Sequence, residues 1–128
     1  MLRRLFVAAI AALLMSPLAV LAGQPQAYDA KAFTDAQAAG KTILVQVHAD
    51  WCPQCAAQRP IVGSLASTDR FKDMIIFNID FDTQKPLLRT FNVQRQATMI
   101  MYKGAKETGR SVGATQAAPI AELLATGL

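Results

Sequence analysis

The chain has 128 residues, of which 52% are hydrophobic and 17% charged, and its length predicts a single domain. Its two cysteines exclude a disulfide-dense secreted scaffold and a four-cysteine zinc site within this chain. Arg3 and Arg4 supply about two units of the net charge of +4, and the weak excess that remains gives no electrostatic footprint for nucleic acid.

The first 22 residues read as a secretory signal peptide. Arg3 and Arg4 form a basic start, residues 5–15 are apolar, and residues 20–22 form a small-residue cleavage signal. The apolar run is too short for a membrane span, although an uncleaved anchor is the alternative if the Ser-Pro interruption is ignored. We predict a cleaved signal peptide over 1–22, one domain over 23–128, a periplasmic or secreted location and no membrane association after cleavage.

The hydrophobic pattern after residue 28 alternates between helices and strands. Residues 24–28 read as a short polar lead-in that contains proline. Helices are predicted over 29–39, 52–67, 83–91 and 117–126, and strands over 42–48, 74–80, 98–102 and 107–112. The first strands are apolar without alternation, which indicates helices on both faces of the sheet. The fold class predicted is α/β, a three-layer α/β/α sandwich with a central mixed sheet.

A C-x-x-C motif stands where the strand over 42–48 gives way to a helix. Cys52 would lie at the helix N-terminus, where free N–H groups and the macrodipole favour a thiolate, and Cys55 would lie one turn further on the same face. This arrangement suits thiol–disulfide exchange, with Cys52 attacking and Cys55 resolving the mixed disulfide. Pro53 is tolerated in the first helical turn. A structural disulfide and half of a metal site are the alternatives.

With Trp51 before it, the motif resembles the active site of the thioredoxin superfamily. Three further features agree with that resemblance: Pro60, the strand end at 78–80, and the stretch 93–104 followed by Val112-Gly113. The resemblance spans almost all of the chain after the leader. It implies a thioredoxin-like fold and a thiol–disulfide oxidoreductase that exchanges electrons with protein disulfides without a cofactor. It also implies a substrate site shaped by six residues: Trp51, Pro53, Gln54, Gln96, Ala97 and Thr98.

The sequence departs from that family pattern at three places. Ala97 stands where the family has a cis-proline, and the cost of a cis bond before a non-proline residue predicts a trans Gln96–Ala97 peptide. Gln46 stands at the position of the buried aspartate that moves the proton of the resolving cysteine, which predicts slower turnover at neutral pH. The Pro53-Gln54 pair matches neither the reducing nor the strongly oxidising members, so the direction of electron flow stays open.

The second interpretation is a metal-binding (copper or zinc) or redox-sensing module that uses Cys52 and Cys55. His48, the only histidine, would be a third ligand, although a histidine that merely flanks the site is the simpler reading. We predict no bound metal. For an oxidoreductase outside the cytoplasm, a membrane redox partner is expected, and the short domain leaves no room for a dimerisation module, which predicts a monomer.

Overall fold

The computed structural model describes residues 21–128, so nearly all of the predicted signal peptide lies outside the described residues. Five strands and four helices are formed in this part of the chain. In chain order they are β1 (Pro25–Ala27), α1 (Ala30–Ala38), β2 (Thr42–His48), α2 (Pro53–Ala66), β3 (Ile75–Asp80), α3 (Lys85–Thr90), β4 (Thr98–Lys103), β5 (Lys106–Val112) and α4 (Ala117–Ala125). Within residues 21–128, no helix has the length and apolar character needed to cross a membrane.

The five strands form one mixed sheet in the order β1-β3-β2-β4-β5. β1 and β2 pair with β3 in parallel, whereas β4 runs antiparallel to both β2 and β5. The mixed sheet is therefore confirmed. The lead-in predicted over 24–28 is wrong in one respect, because Pro25–Ala27 adds a strand to the sheet. It lies at the sheet edge, where a proline that cannot donate a hydrogen bond is tolerated.

Helices cover both faces of the sheet, which confirms the three-layer architecture. On one face, α1 and α3 bury an aromatic cluster that includes Phe33, Phe77 and Phe91. On the other face, α2 and α4 pack against a second apolar cluster that contains Met99 and Met101, both fully buried. These two cores explain why the apolar residues of the central strands do not alternate with polar ones, since β2, β3 and β4 each contribute side chains to both cores.

Most element ends lie within one residue of their predicted positions, but α3 begins two residues late. The reason is a turn after β3 that competes with the helix. The Oδ1 atom of Asp80 accepts hydrogen bonds from the backbone N–H groups of Asp82 and Thr83, at 2.8 and 2.9 Å. The side chain of Gln84 accepts the backbone N–H of Asp80 at 2.8 Å. These side-chain bonds satisfy the backbone without helical pairing.

Candidate active site

The two cysteines lie at the start of α2, just beyond the carboxyl end of β2. Cys52 is the N-cap of α2, with extended backbone, and its Sγ accepts the backbone N–H of Cys55 at 3.1 Å. Pro53 occupies the first turn of the helix, as the sequence predicts. Cys52 and Cys55 form a disulfide, and their Cα atoms are 5.3 Å apart. The helix N-terminus therefore directs a donor at the sulfur of Cys52, which favours its thiolate form after reduction.

The disulfide is shielded, and a tryptophan stands exposed beside it in the chain. Cys52 and Cys55 are 2% and 4% exposed, whereas Trp51 is 58% exposed. The indole Nε1 of Trp51 donates to Oδ2 of Asp82 at 2.9 Å, which holds the ring from the turn after β3. Sequence reasoning missed this role of Asp82, because the two residues lie 31 positions apart.

Ala97 closes the other side of the disulfide. It is fully buried in one apolar cluster with both cysteines and Ala49. The described residues contain no cis peptide bond, so the Gln96–Ala97 peptide is trans, as the sequence predicts. Ala97 nevertheless has a φ of 61°, in the left-handed region. That conformation costs a residue with a Cβ about 1–2 kcal/mol.

The residues on either side of Ala97 differ in exposure. Thr98 is buried, and its hydroxyl donates to the carbonyl of Arg95 at 2.6 Å. Gln96 is half-buried, and its backbone N–H and carbonyl make no backbone hydrogen bond within residues 21–128. The N–H of Ala97, in contrast, donates to the Val47 carbonyl at 2.8 Å. The backbone of Gln96 is thus the free edge of this segment.

Gln54 lies against the segment that follows β5. Gly113 there has a φ of 75°, and a Cβ added to it would meet the side-chain amide of Gln54 at 3.1 Å. The N–H of Gly113 donates to the carbonyl of Ala97 at 3.0 Å. Val112, directly before it, is 56% exposed. The structure thus brings the start of α2, the segment before β4 and the segment after β5 together around the disulfide.

A pocket of about 280 Å³ lies on the α2 side of the sheet and reaches Cys55. Gln46 lines this pocket, at the position where the family resemblance implies a carboxylate. The Nε2 atom of Gln46 donates to Oδ1 of Asn78 at 2.9 Å. The residues that line this pocket are Pro25, Gln46, Val47, His48, Cys55, Gln58, Arg59 and Asn78. Because these residues include no carboxylate, the pocket offers Cys55 no acidic side chain as a proton acceptor.

His48 lines the same pocket, with its Nδ1 atom buried and without a partner among the described residues. Within residues 21–128, no group of three histidine, cysteine, aspartate or glutamate side chains is placed to hold a metal ion. His48 is therefore not placed together with Cys52 and Cys55 as a three-ligand set in this part of the chain.

Gln58 is a second residue that sequence reasoning missed. It is 4% exposed, and its Nε2 donates to the carbonyl of Ala97 at 3.1 Å and to that of Ala114 at 2.9 Å. One signal for it exists in the sequence. Gln58 follows Cys55 by three residues and precedes Val62 by four, so a polar side chain falls on the buried face of α2.

A shielded disulfide at the N-terminus of a helix, in this α/β/α sandwich, is the arrangement of a thiol–disulfide oxidoreductase. Comparison with known proteins agrees. The thioredoxin family profile matches residues 24–126. The chain belongs to the thioredoxin family, whose members are thiol–disulfide oxidoreductases that act on protein disulfides.

Three relatives illustrate the similarity. The thioredoxin of Mycobacterium bovis is 34% identical over 86 residues, which cover 67% of this chain and 73% of that protein. The bifunctional thioredoxin reductase/thioredoxin of Mycobacterium leprae is also 34% identical over 86 residues, but the match spans 19% of its length. The crystal structure of Trxlp from Edwardsiella tarda superposes with a TM-score of 0.76 at 39% identity, covering 79% of this chain and 98% of that one.

Proposed function

We propose that this chain exchanges electrons with protein disulfides outside the cytoplasm, with Cys52 as the nucleophile and Cys55 as the resolving thiol. The observation that carries the proposal is the position of Cys52 as the N-cap of α2, where its Sγ accepts the N–H of Cys55. A negative charge on this sulfur is stabilised by the helix terminus, whereas Cys55 lies inside the first turn, and its sulfur receives no such donor from residues 21–128.

The exchange balances in two steps. The Cys52 thiolate attacks one sulfur of a substrate disulfide, forming a mixed disulfide and releasing the other substrate sulfur as a thiolate. The sulfur of Cys55, deprotonated, then attacks Cys52, which forms the Cys52–Cys55 disulfide and releases the second substrate thiol. The substrate gains two electrons, and a dithiol partner must return the chain to its reduced form. The reverse sequence would oxidise a substrate dithiol.

The surroundings of the disulfide favour an extended polypeptide as substrate. The free backbone of Gln96 is available for strand-like pairing, which is a common way to bind an extended peptide. Trp51 and Val112 are two of the four large hydrophobic side chains that are exposed in residues 21–128. Exposed apolar side chains next to a free backbone edge suit contacts with alternate side chains of such a peptide.

The location and the partner follow from the leader and from the electron balance. The signal peptide predicted over 1–22 would deliver the chain to the periplasm or the outside of the cell. A reduced site there needs electrons from across the membrane, so a membrane redox protein is the partner that we propose. The chain would work as a monomer that presents one disulfide surface.

The activity is tested by the reduction of insulin disulfides with dithiothreitol as electron donor. We expect the purified protein to accelerate the reaction and the Cys52→Ser variant to lose that acceleration. Equal rates with and without the wild-type protein would contradict the proposed exchange. Fractionation of the native host tests the location, since recovery of the chain in the cytoplasm would contradict export.

A further inference from the structure

The buried amide of Gln58 crosslinks three segments that surround the disulfide. Gln58 lies on α2, one turn after Cys55, and donates to Ala97 before β4 and to Ala114 after β5. These acceptors lie 39 and 56 residues away in sequence. Gln58 and Thr98 are the buried polar residues of the described chain, and the hydroxyl of Thr98 bonds locally to Arg95. Of these two buried polar residues, Gln58 is therefore the one whose side chain bonds to segments far away in sequence.

The geometry of Ala97 explains why such a crosslink is needed. A residue with a Cβ persists in the left-handed region only where its surroundings fix it. The backbone bonds from Ala97 to Val47 and from Gly113 to Ala97 supply part of that restraint. The amide of Gln58 adds a further bond to the same Ala97 carbonyl, at 3.1 Å, and does so from the helix that carries the cysteines.

We propose that Gln58 is a positioning residue for disulfide exchange. Its side-chain amide holds Ala97 in the left-handed conformation against the disulfide. It also fixes the positions of the segments before β4 and after β5 relative to α2. Because Gln58 is buried and acts through backbone carbonyls, it sets the position of the Gln96 edge relative to Cys52. This inference rests on the proposed function, in which that edge receives a polypeptide substrate.

Loss of the amide should affect large and small substrates differently. A protein disulfide has to match both the Cys52 sulfur and the Gln96 edge, so displacement of that edge weakens its binding. A small aliphatic disulfide reacts at the sulfur alone and does not depend on the edge. A residue that merely stabilised the fold would lower the unfolding temperature and leave the relative use of the two substrates unchanged.

The test is the Gln58→Met variant, which keeps nearly the length of the side chain and removes both donors. For a protein disulfide we expect KM to rise by about tenfold, because two hydrogen bonds are lost, with kcat changed little. The rate with a small aliphatic disulfide should stay within about twofold of the wild type. Faster hydrogen exchange at the Ala97 and Gly113 amides is expected alongside. Gln116→Met is the matched control, since that exposed amide makes no capping bond.

The milder Gln58→Asn variant keeps the amide but shortens its reach, and covers the case in which Gln58→Met does not fold. We expect its KM for the protein disulfide to exceed that of the wild type. Where Gln58→Met can also be measured, the KM of Gln58→Asn should lie below that of Gln58→Met. An unchanged KM for the protein disulfide in a folded Gln58 variant would overturn the positioning role. A wild-type protein inert toward both substrates would contradict the proposed function instead.

Discussion

Gln46 faces the pocket that reaches the resolving cysteine, yet an amide cannot accept the thiol proton there. Its Nε2 is bonded to Asn78, and none of the residues that line the pocket is a carboxylate. Without a carboxylate in the pocket, the proton of Cys55 is left to water, to the departing substrate thiolate or to the imidazole of His48, which lines the same pocket. A general base placed at this position should raise the rate of the resolving step.

The Gln46→Asp variant tests this interpretation. We expect turnover with a protein disulfide at neutral pH to rise by about tenfold or more, because general-base catalysis typically contributes 10²–10⁴-fold. The rate is measured by insulin reduction from about pH 6 to about pH 9. Gln46→Asn is the control for the shorter side chain, since it lacks the carboxylate. No gain over Gln46→Asn would show that proton transfer to residue 46 does not limit the reaction.

Ala97 is a position where the side chain has little room to grow. It is fully buried against both cysteines, and its φ is 61°. A β-branched residue is strongly disfavoured in that region of backbone space and would also overpack the cluster. We expect Ala97→Val to lower the free energy of unfolding by about 2–4 kcal/mol, measured by urea denaturation of the oxidised protein.

The control places the same substitution at an exposed helical position. It measures what replacing alanine by valine costs without burial and without a left-handed backbone. Ala57 lies on the exposed side of α2, where valine costs only a few tenths of a kcal/mol, up to about 0.7. An Ala97→Val variant that is no more destabilised than Ala57→Val would contradict the claim that residue 97 is left-handed and tightly packed.

At the scale of elements, the turn between β3 and α3 supports the site from outside. Asp80 closes this turn, and Asp82 within it accepts the indole N–H of Trp51. The pKa of Asp80 is held below its ordinary value of 3.8, mainly by the hydrogen bond from the backbone N–H of Thr83 and also by that from Asp82. Desolvation acts in the opposite direction and raises this pKa. The charged carboxylate is thus favoured in the folded state, and the turn depends on its charge.

This pKa shift has a definite consequence for stability against pH. Because the folded pKa is lower than the unfolded one, the carboxylate stabilises the fold above the ordinary pKa, and that contribution disappears as pH falls through the folded pKa. We expect Asp80→Asn to lower the urea midpoint near about pH 6 and to approach the wild type near about pH 2. Trp51 fluorescence reports the transition.

The control for this comparison is Asp69→Asn, at an exposed aspartate between α2 and β3. Its curve should run parallel to that of the wild type over the whole range. A difference between Asp80→Asn and the wild type that stays constant down to acid pH would contradict a contribution from the carboxylate charge.

At the scale of the whole molecule, the long apolar strands and the C-x-x-C junction were predictable. The strand over 42–48 has the predicted ends, because its apolar run, interrupted only by Gln46, fits one placement between the flanking helices. β1 was not predictable, because three polar or small residues become a strand only by pairing with β3. The bonds of Gln58 and of Asp82 join residues that are far apart in sequence, and no local pattern reports such partners.

The central claim is the division of labour between Cys52 as nucleophile and Cys55 as resolving thiol. The most direct measurement is mass spectrometry of the mixed disulfides that each single-cysteine variant forms with a protein disulfide. We predict a rapid adduct on Cys52 in the Cys55→Ser variant and little or none on Cys55 in the Cys52→Ser variant. Equal adduct formation by the two variants, or an adduct only on Cys55, would contradict the assignment.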